Sequence, residues 1–183
     1  MDLLNLHHLT KTFGGLTAVK DVSFTVEKGA VMGLIGPNGA GKTTVFNLIT
    51  GHYRPDRGDI LFDGVALTGL RTHRIIALGI ARTFQNIRLF QKLTALENVL
   101  AGCHYRMHSG ILSAMLRLPA QRREEQEARE RALQELEFVG LGQQALSMAR
   151  NLAYGDQRRL EIARALATQP RLLILDEPAG GMN

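Results

Sequence analysis

Residues Gly36-Pro37-Asn38-Gly39-Ala40-Gly41-Lys42-Thr43 have the spacing G-x-x-x-x-G-K-[ST]. That spacing suits one task, gripping a phosphate chain. Glycines let the backbone take conformations other residues resist and let it approach a phosphate closely. Successive N–H groups, followed by a helix N-terminus, present positive partial charge to an anion. Lys42 can neutralise β- and γ-phosphates, and the Thr43 hydroxyl is placed to ligate a divalent cation. The competing reading is a Gly-rich turn with an accidental Lys-Thr pair. The apolar run before the motif and the helical pattern after it argue against that.

A second group follows much later, where Leu172-Leu173-Ile174-Leu175 runs into Asp176-Glu177. A carboxylate at the C-terminal edge of a buried parallel strand stands at the ligand crevice of an open α/β sheet. Asp176 can hold a metal, directly or through water, and Glu177 can orient and deprotonate a water for attack on a phosphate. Alone, this run would read as a strand ending in a polar turn; alongside the phosphate loop it reads as chemistry. His104 and His108, close to Cys103, invite a metal reading. Arg106 lies between them and no Glu stands where a metalloprotease helix needs one, so that reading is disfavoured.

Elements must position these groups. Residues 3–9 and 22–26 alternate apolar with polar, as half-buried strands do, and residues 31–35 are continuously apolar, as in a strand covered on both faces. A helix is expected over residues 45–50 with its stop at Gly51, then turns at 53–58 and 63–64 around a short strand at 60–62. From Arg71 to Gly140 the pattern is mainly helical, and Ala132, Leu136 and Val139 form an apolar stripe able to dock. A helix over 157–168 and a buried strand over 172–175 complete the order. Arg71, Arg74, Arg82 and Arg88 make a basic region around Gln85, either a solvated face or a groove.

Composition bounds the class. The 183 residues amount to one ordinary domain, and 45% hydrophobic with 21% charged residues excludes bulk disorder and a fibrous protein. A net charge of +5 is compatible with nucleic acid, an acidic membrane surface or phosphate ligands. One cysteine allows no intramolecular disulfide and fits a reducing compartment. No secretory signal and no apolar run of about 18 residues is present, so any membrane role is peripheral.

Taken in order, Gly36 to Thr44, Gln85 after Thr83-Phe84, Leu152-Ala153-Tyr154-Gly155-Asp156-Gln157-Arg158-Arg159 and Asp176-Glu177 resemble the ATP-binding cassette (ABC) ATPases. The stretches 81–90, 96–100 and 151–166 are most similar to LivG-type subunits of branched-chain amino-acid importers. The resemblance implies an α/β fold. It would have a P-loop NTPase core, an N-terminal antiparallel β-subdomain and an inserted helical subdomain. Residues 1–85 would hold the β-subdomain and phosphate-loop core, 86–150 the helical subdomain, and 151–183 the signature helix and carboxylate strand.

It also implies roles. ATP and Mg²⁺ are the expected cofactors. Gly36, Pro37, Asn38, Gly39, Ala40, Gly41, Lys42, Thr43 and Thr44 would bind nucleotide. Thr43, Gln85 and Asp176 would serve the metal, and Glu177 and Gln85 catalysis. Phe13 corresponds to the ring that stacks on adenine, although as a residue it is equally a core aromatic. Leu152, Ala153, Tyr154, Gly155, Asp156 and Gln157 correspond to the signature that closes over ATP held by the other protomer. This signature departs from Leu-Ser-Gly-Gly-Gln: Ala153, Tyr154 and Asp156 replace Ser, Gly and Gln. The phosphate contacts then rest on backbone groups, and Asp156 is expected to point away.

Implied partners are a homologous ATPase in a head-to-tail dimer, two transmembrane permease subunits and, indirectly, a periplasmic solute-binding protein, on the cytoplasmic face of the membrane. Nucleic acid is not implied, since neither a second phosphate loop nor a long coiled coil is present. Family members continue past residues 178–183 through a strand with a switch histidine and further helices. No His follows Asp176, so a C-terminally truncated chain is expected. The alternative to an active ATPase is therefore a nucleotide-binding module with little turnover.

Overall fold

The computed structural model describes residues 2–83, 85, 87–103 and 119–177. The chain divides into two compact units, Met1–Leu78 and Gly79–Asn183.

The first unit is built on β1 (Asp2–Phe13) and β2 (Leu16–Glu27), which pair antiparallel. Gly14 and Gly15 join them at φ 49° and 91°, the positive angles a tight right-twisting hairpin requires. This turn lets the ladder run well past the alternating stretches that announce it. On its other edge β1 pairs with β3 (Arg57–Phe62), which turns at Asp63-Gly64 into β4 (Val65–Ala66), giving the order β2-β1-β3-β4. Leu4, Leu6, Leu9, Ile60 and Phe62 are buried, as are Val45, Leu48 and Ile49 of α1 (Lys42–Ile49). Gly51 ends α1 as expected, with φ 71°, Gly51 N–H donating to Leu48 O at 3.2 Å and His52 N–H to Asn47 O at 2.9 Å. A Cβ there would stand 2.6 Å from Ile75 of α2 (Thr72–Ala77), so the glycine also admits close packing.

Residues 31–35 correct the sequence reading. They form no strand, and Val31, Met32 and Ile35 are 101%, 49% and 94% exposed. An apolar run supplies side chains suited to a buried strand, but a strand exists only where a neighbour completes its ladder. Among the described residues the only sheets are β2-β1-β3-β4 and β5-β6, and neither takes this segment.

In the second unit β5 (Ile80–Arg82) pairs in parallel with β6 (Leu172–Ile174), Arg82 opposite Ile174. β5 lies inside the stretch expected to be helical, and at three residues it is too short for periodicity to reveal. Three helices make the core: α3 (Ala95–Cys103), α4 (Pro119–Phe138) and α5 (Tyr154–Leu166). The predicted stripe docks, with Ala132 and Leu136 fully buried against Val99, Leu160 and Ala163, and Val139 packed at the edge. Gly102 lets α3 and α5 meet closely, because a Cβ there would fall 2.4 Å from Arg164 O. Cys103 is buried in this core, which raises its thiol pKa. His104 and His108 lie outside the described residues.

α3 starts at a capping box: Thr94 N–H donates to Glu97 Oε2 at 2.7 Å while Glu97 N–H donates to Thr94 Oγ1 at 3.2 Å. These bonds, the backbone one first, hold the Glu97 carboxyl below its ordinary 4.5. A depressed carboxyl stabilises the fold above its unfolded pKa and loses that effect as pH falls through the folded value. Glu97→Gln is therefore expected to lower the thermal midpoint at pH 7, with the gap to wild type closing below a pH of about 4. A scan of both proteins across pH checks this.

Candidate functional site

In the first unit the phosphate loop leads directly into α1. Gly41 is its pivot, at φ 87°, and a Cβ there would come 2.2 Å from the Ala18 carbonyl oxygen in β2. No side chain fits, so the sheet itself dictates the glycine before Lys42. Gly41 is also the N-cap of α1 and supplies no side-chain cap, and the first turn holds no acidic residue. The first N–H groups of a helix lack intrahelical acceptors, so these remain available to an anion. Lys42 Nζ donates to Gly36 O at 2.5 Å and Pro37 O at 2.9 Å, holding the ammonium over the loop. Pro37, Asn38, Gly39, Ala40 and Thr43 are exposed, while Gly36 and Thr44 are half-buried. A glycine cradle, open amides and an oriented cation fit a phosphate, and the Thr43 hydroxyl is the kind of hard oxygen donor Mg²⁺ takes.

Phe13, at the end of β1, is not a core residue. It is 39% exposed and meets Tyr53 edge-to-face at 5.1 Å. Lys11 Nζ lies 5.3 Å from the ring centroid and bonds Asp56 at 2.8 Å. Thr12 N–H donates to the same carboxylate at 2.7 Å. The Lys11 bond, then the Thr12 bond, hold the Asp56 carboxyl below its usual range.

The second unit brings the carboxylates and Gln85 together. Asp176, just past β6, is buried and forms an ion pair with Arg82 at 2.8 Å, both side chains only 5% exposed. Thr83 fixes the two strand ends: its N–H donates to Ile174 O at 3.0 Å, and its Oγ1 accepts from Asp176 N–H at 3.4 Å. Glu177 is exposed at φ 51°, a left-handed conformation that non-glycine residues rarely adopt and that recurs at functional sites. Gln85 Nε2 donates to Glu177 Oε2 at 3.0 Å. An amide that spends its N–H on the carboxylate keeps its carbonyl oxygen for a cation or a water.

The signature residues open α5. Leu152 is buried, Ala153 is the exposed N-cap without a side-chain cap, and Tyr154 is 48% exposed. The helix starts at Tyr154, earlier than expected, so Gly155, Asp156 and Gln157 lie in its first turns. Gln157 Nε2 donates to Leu152 O at 2.9 Å, and Asp156 is paired with Arg159 along its own helix.

Of the basic region, one member is withdrawn from solvent. Arg71 and Arg74 are exposed in the first unit, Arg88 is exposed in the second, and Arg82 is buried on Asp176. Arg82 is the site neighbour that sequence reasoning missed. A buried arginine carries no mark in composition, and the partner of Arg82 lies 94 residues away. Among the described residues no cluster of His, Cys, Asp and Glu could hold a metal.

Residues 19–180 match the sequence pattern of the ABC transporter family. The chain belongs to that family. An ABC relative in Pseudomonas aeruginosa, the high-affinity branched-chain amino acid transport ATP-binding protein BraF, is 51% identical over 99% of this chain. The LivG protein of Escherichia coli K12, of the same description, is 49% identical over 99%. The chain spans 71% of the length of each. Among solved ABC structures, the ATP-binding cassette MJ1267 in its ADP conformation is 34% identical and superposes with a TM-score of 0.84, over 100% of this chain and 71% of that one. The ABC fold expectation therefore holds, and the phosphate loop belongs to a nucleotide-binding cassette.

Removing one partner of a buried ion pair strands the other charge, at about 3–5 kcal/mol. Arg82→Met is expected to cost that much in urea unfolding. Arg82→Met with Asp176→Leu, which removes both charges, should recover most of it.

Proposed function

We propose that this chain is the ATP-binding and hydrolysing subunit of an importer for branched-chain or related amino acids. The observation that supports hydrolysis most directly is the Gln85–Glu177 hydrogen bond at 3.0 Å, beside the buried Arg82–Asp176 pair. The similarity to BraF and LivG supports the importer role and the solute class.

The chemistry follows from these groups. The amides at Gly39 and at residues 41–44, with the Lys42 ammonium, bind the β- and γ-phosphates. Phe13 offers a half-exposed ring for the adenine. In the first unit the Thr43 hydroxyl would take Mg²⁺, which when bound would supply charge neutralisation at the phosphates; in the second unit the oxygens of Gln85 and Asp176 are donors of the same hard kind. Glu177 takes a proton from the attacking water, and Gln85 holds its carboxylate by donating to Oε2. Arg82 pairs with Asp176 at 2.8 Å and holds it at the strand ends.

The signature is assigned to ATP held by a second ATPase subunit. Ala153 and Tyr154 are exposed, and the first N–H groups of α5 have no side-chain cap. That pair would dock on two permease subunits at the cytoplasmic face of the membrane, served by a solute-binding protein. No helix among the described residues is long and apolar enough to cross a membrane, so the chain's part is peripheral in this reading.

Two measurements test the proposal. Lys42→Ala is expected to weaken ATP binding by calorimetry about tenfold or more, since it removes a charge-assisted bond; unchanged affinity would overturn the phosphate-loop assignment. Glu177→Gln should keep ATP affinity while turnover falls by about 10²–10⁴-fold. Turnover that survives this change would remove Glu177 from the mechanism.

A further inference from the structure

Arg158 stands apart from the residues assigned so far. It lies one turn into α5, its side chain 6% exposed, and faces Glu161, 2% exposed, at 3.4 Å. A buried guanidinium must find acceptors for its donors. One is Glu161, a second is the Tyr154 hydroxyl at 3.3 Å, and the third is the backbone carbonyl oxygen of Gln85, which accepts from Arg158 Nη2. The guanidinium also lies 5.6 Å from the Tyr154 ring centroid. Glu161 in turn accepts from Arg88 N–H at 3.3 Å, so the same pair grips the chain on both sides of residues 86–87.

The arrangement has a direction. Tyr154 belongs to the signature, and Gln85 carries the amide that holds Glu177. We infer that Arg158 is a positioning residue that ties the signature end of α5 to the Gln85 backbone, so that nucleotide contact at residues 152–157 sets where Gln85, and through it Glu177, stands. This rests on the proposed ATPase reading for its catalytic consequence, while the Arg158–Gln85 link itself does not. Arg158 touches neither nucleotide nor water in this scheme and acts through Gln85. A lysine could face Glu161 but offers one ammonium where the guanidinium spans three acceptors.

The test compares wild type, Arg158→Lys, Gln85→Ala and the double variant in MgATP turnover, with binding of a fluorescent ATP analogue measured alongside. Arg158→Lys is chosen because Arg158→Ala would leave Glu161 buried beside a lost partner and could unfold the unit. Turnover should fall about tenfold in Arg158→Lys with analogue affinity unchanged, and should fall no further when Arg158→Lys is added to Gln85→Ala. Equal cost in both backgrounds would mean Arg158 is only structural and would overturn the inference.

Hydrogen–deuterium exchange gives a readout independent of turnover. Amides of residues 85–93 should exchange faster in Arg158→Lys while those of α3 and α5 do not change; no change, or a uniform rise across the second unit, would overturn the link. If the wild-type chain binds ATP without hydrolysing it, the proposed activity fails, and the exchange result alone decides the Arg158 assignment.

Discussion

The second unit is organised by charge withdrawn from water. Arg82, Asp176, Arg158 and Glu161 are all nearly inaccessible to solvent. An unpaired charge in such a place is prohibitive, so each dictates the location of another. Arg82 at the end of β5 holds the carboxylate at the end of β6, and the pairing of these short parallel strands brings the two side chains together. Arg158 and Glu161, three residues apart on α5, then hold the segment that leaves β5. The strand ends, Gln85 and the signature helix are consequently parts of one polar framework, and the apolar core of α3, α4 and α5 supplies the rigid wall against which it is set.

The first unit works by shape. β2 passes so close to Gly41 that only hydrogen fits at its Cα, and this fixes where the phosphate loop turns into α1. The first donors of α1 are left without a side-chain cap because the helix begins on a residue without a side chain. Steric exclusion in one unit and charge pairing in the other are different devices for the same end, which is to hold reactive groups still before any ligand arrives.

Much of this was legible in the sequence because the informative signals were local. Gly36 to Thr43 shows the spacing of a phosphate loop, Gly51 announces the end of α1, and the spacing of Ala132 and Leu136 correctly places a face of α4 in the core, with Val139 packed just past its end. What was not legible depended on distant partners. Arg82 looks like one more surface cation until Asp176 is beside it, and β5 is a strand only because β6 lies alongside. Residues 31–35 show the converse: strand-like composition with no ladder to join. Phe13 was balanced between an adenine-stacking ring and a core aromatic, and its place beside Tyr53 and Lys11, half in solvent, removes the core reading.

Residues 31–35 carry a further consequence for the chain in solution. Val31-Met32-Gly33-Leu34-Ile35 contains no charge and no proline, its β-branched side chains stand in water, and its backbone groups belong to no sheet. Those are the attributes of a segment that recruits strands from other molecules. Strand-to-strand self-association of this chain would therefore start from the segment immediately upstream of the phosphate loop.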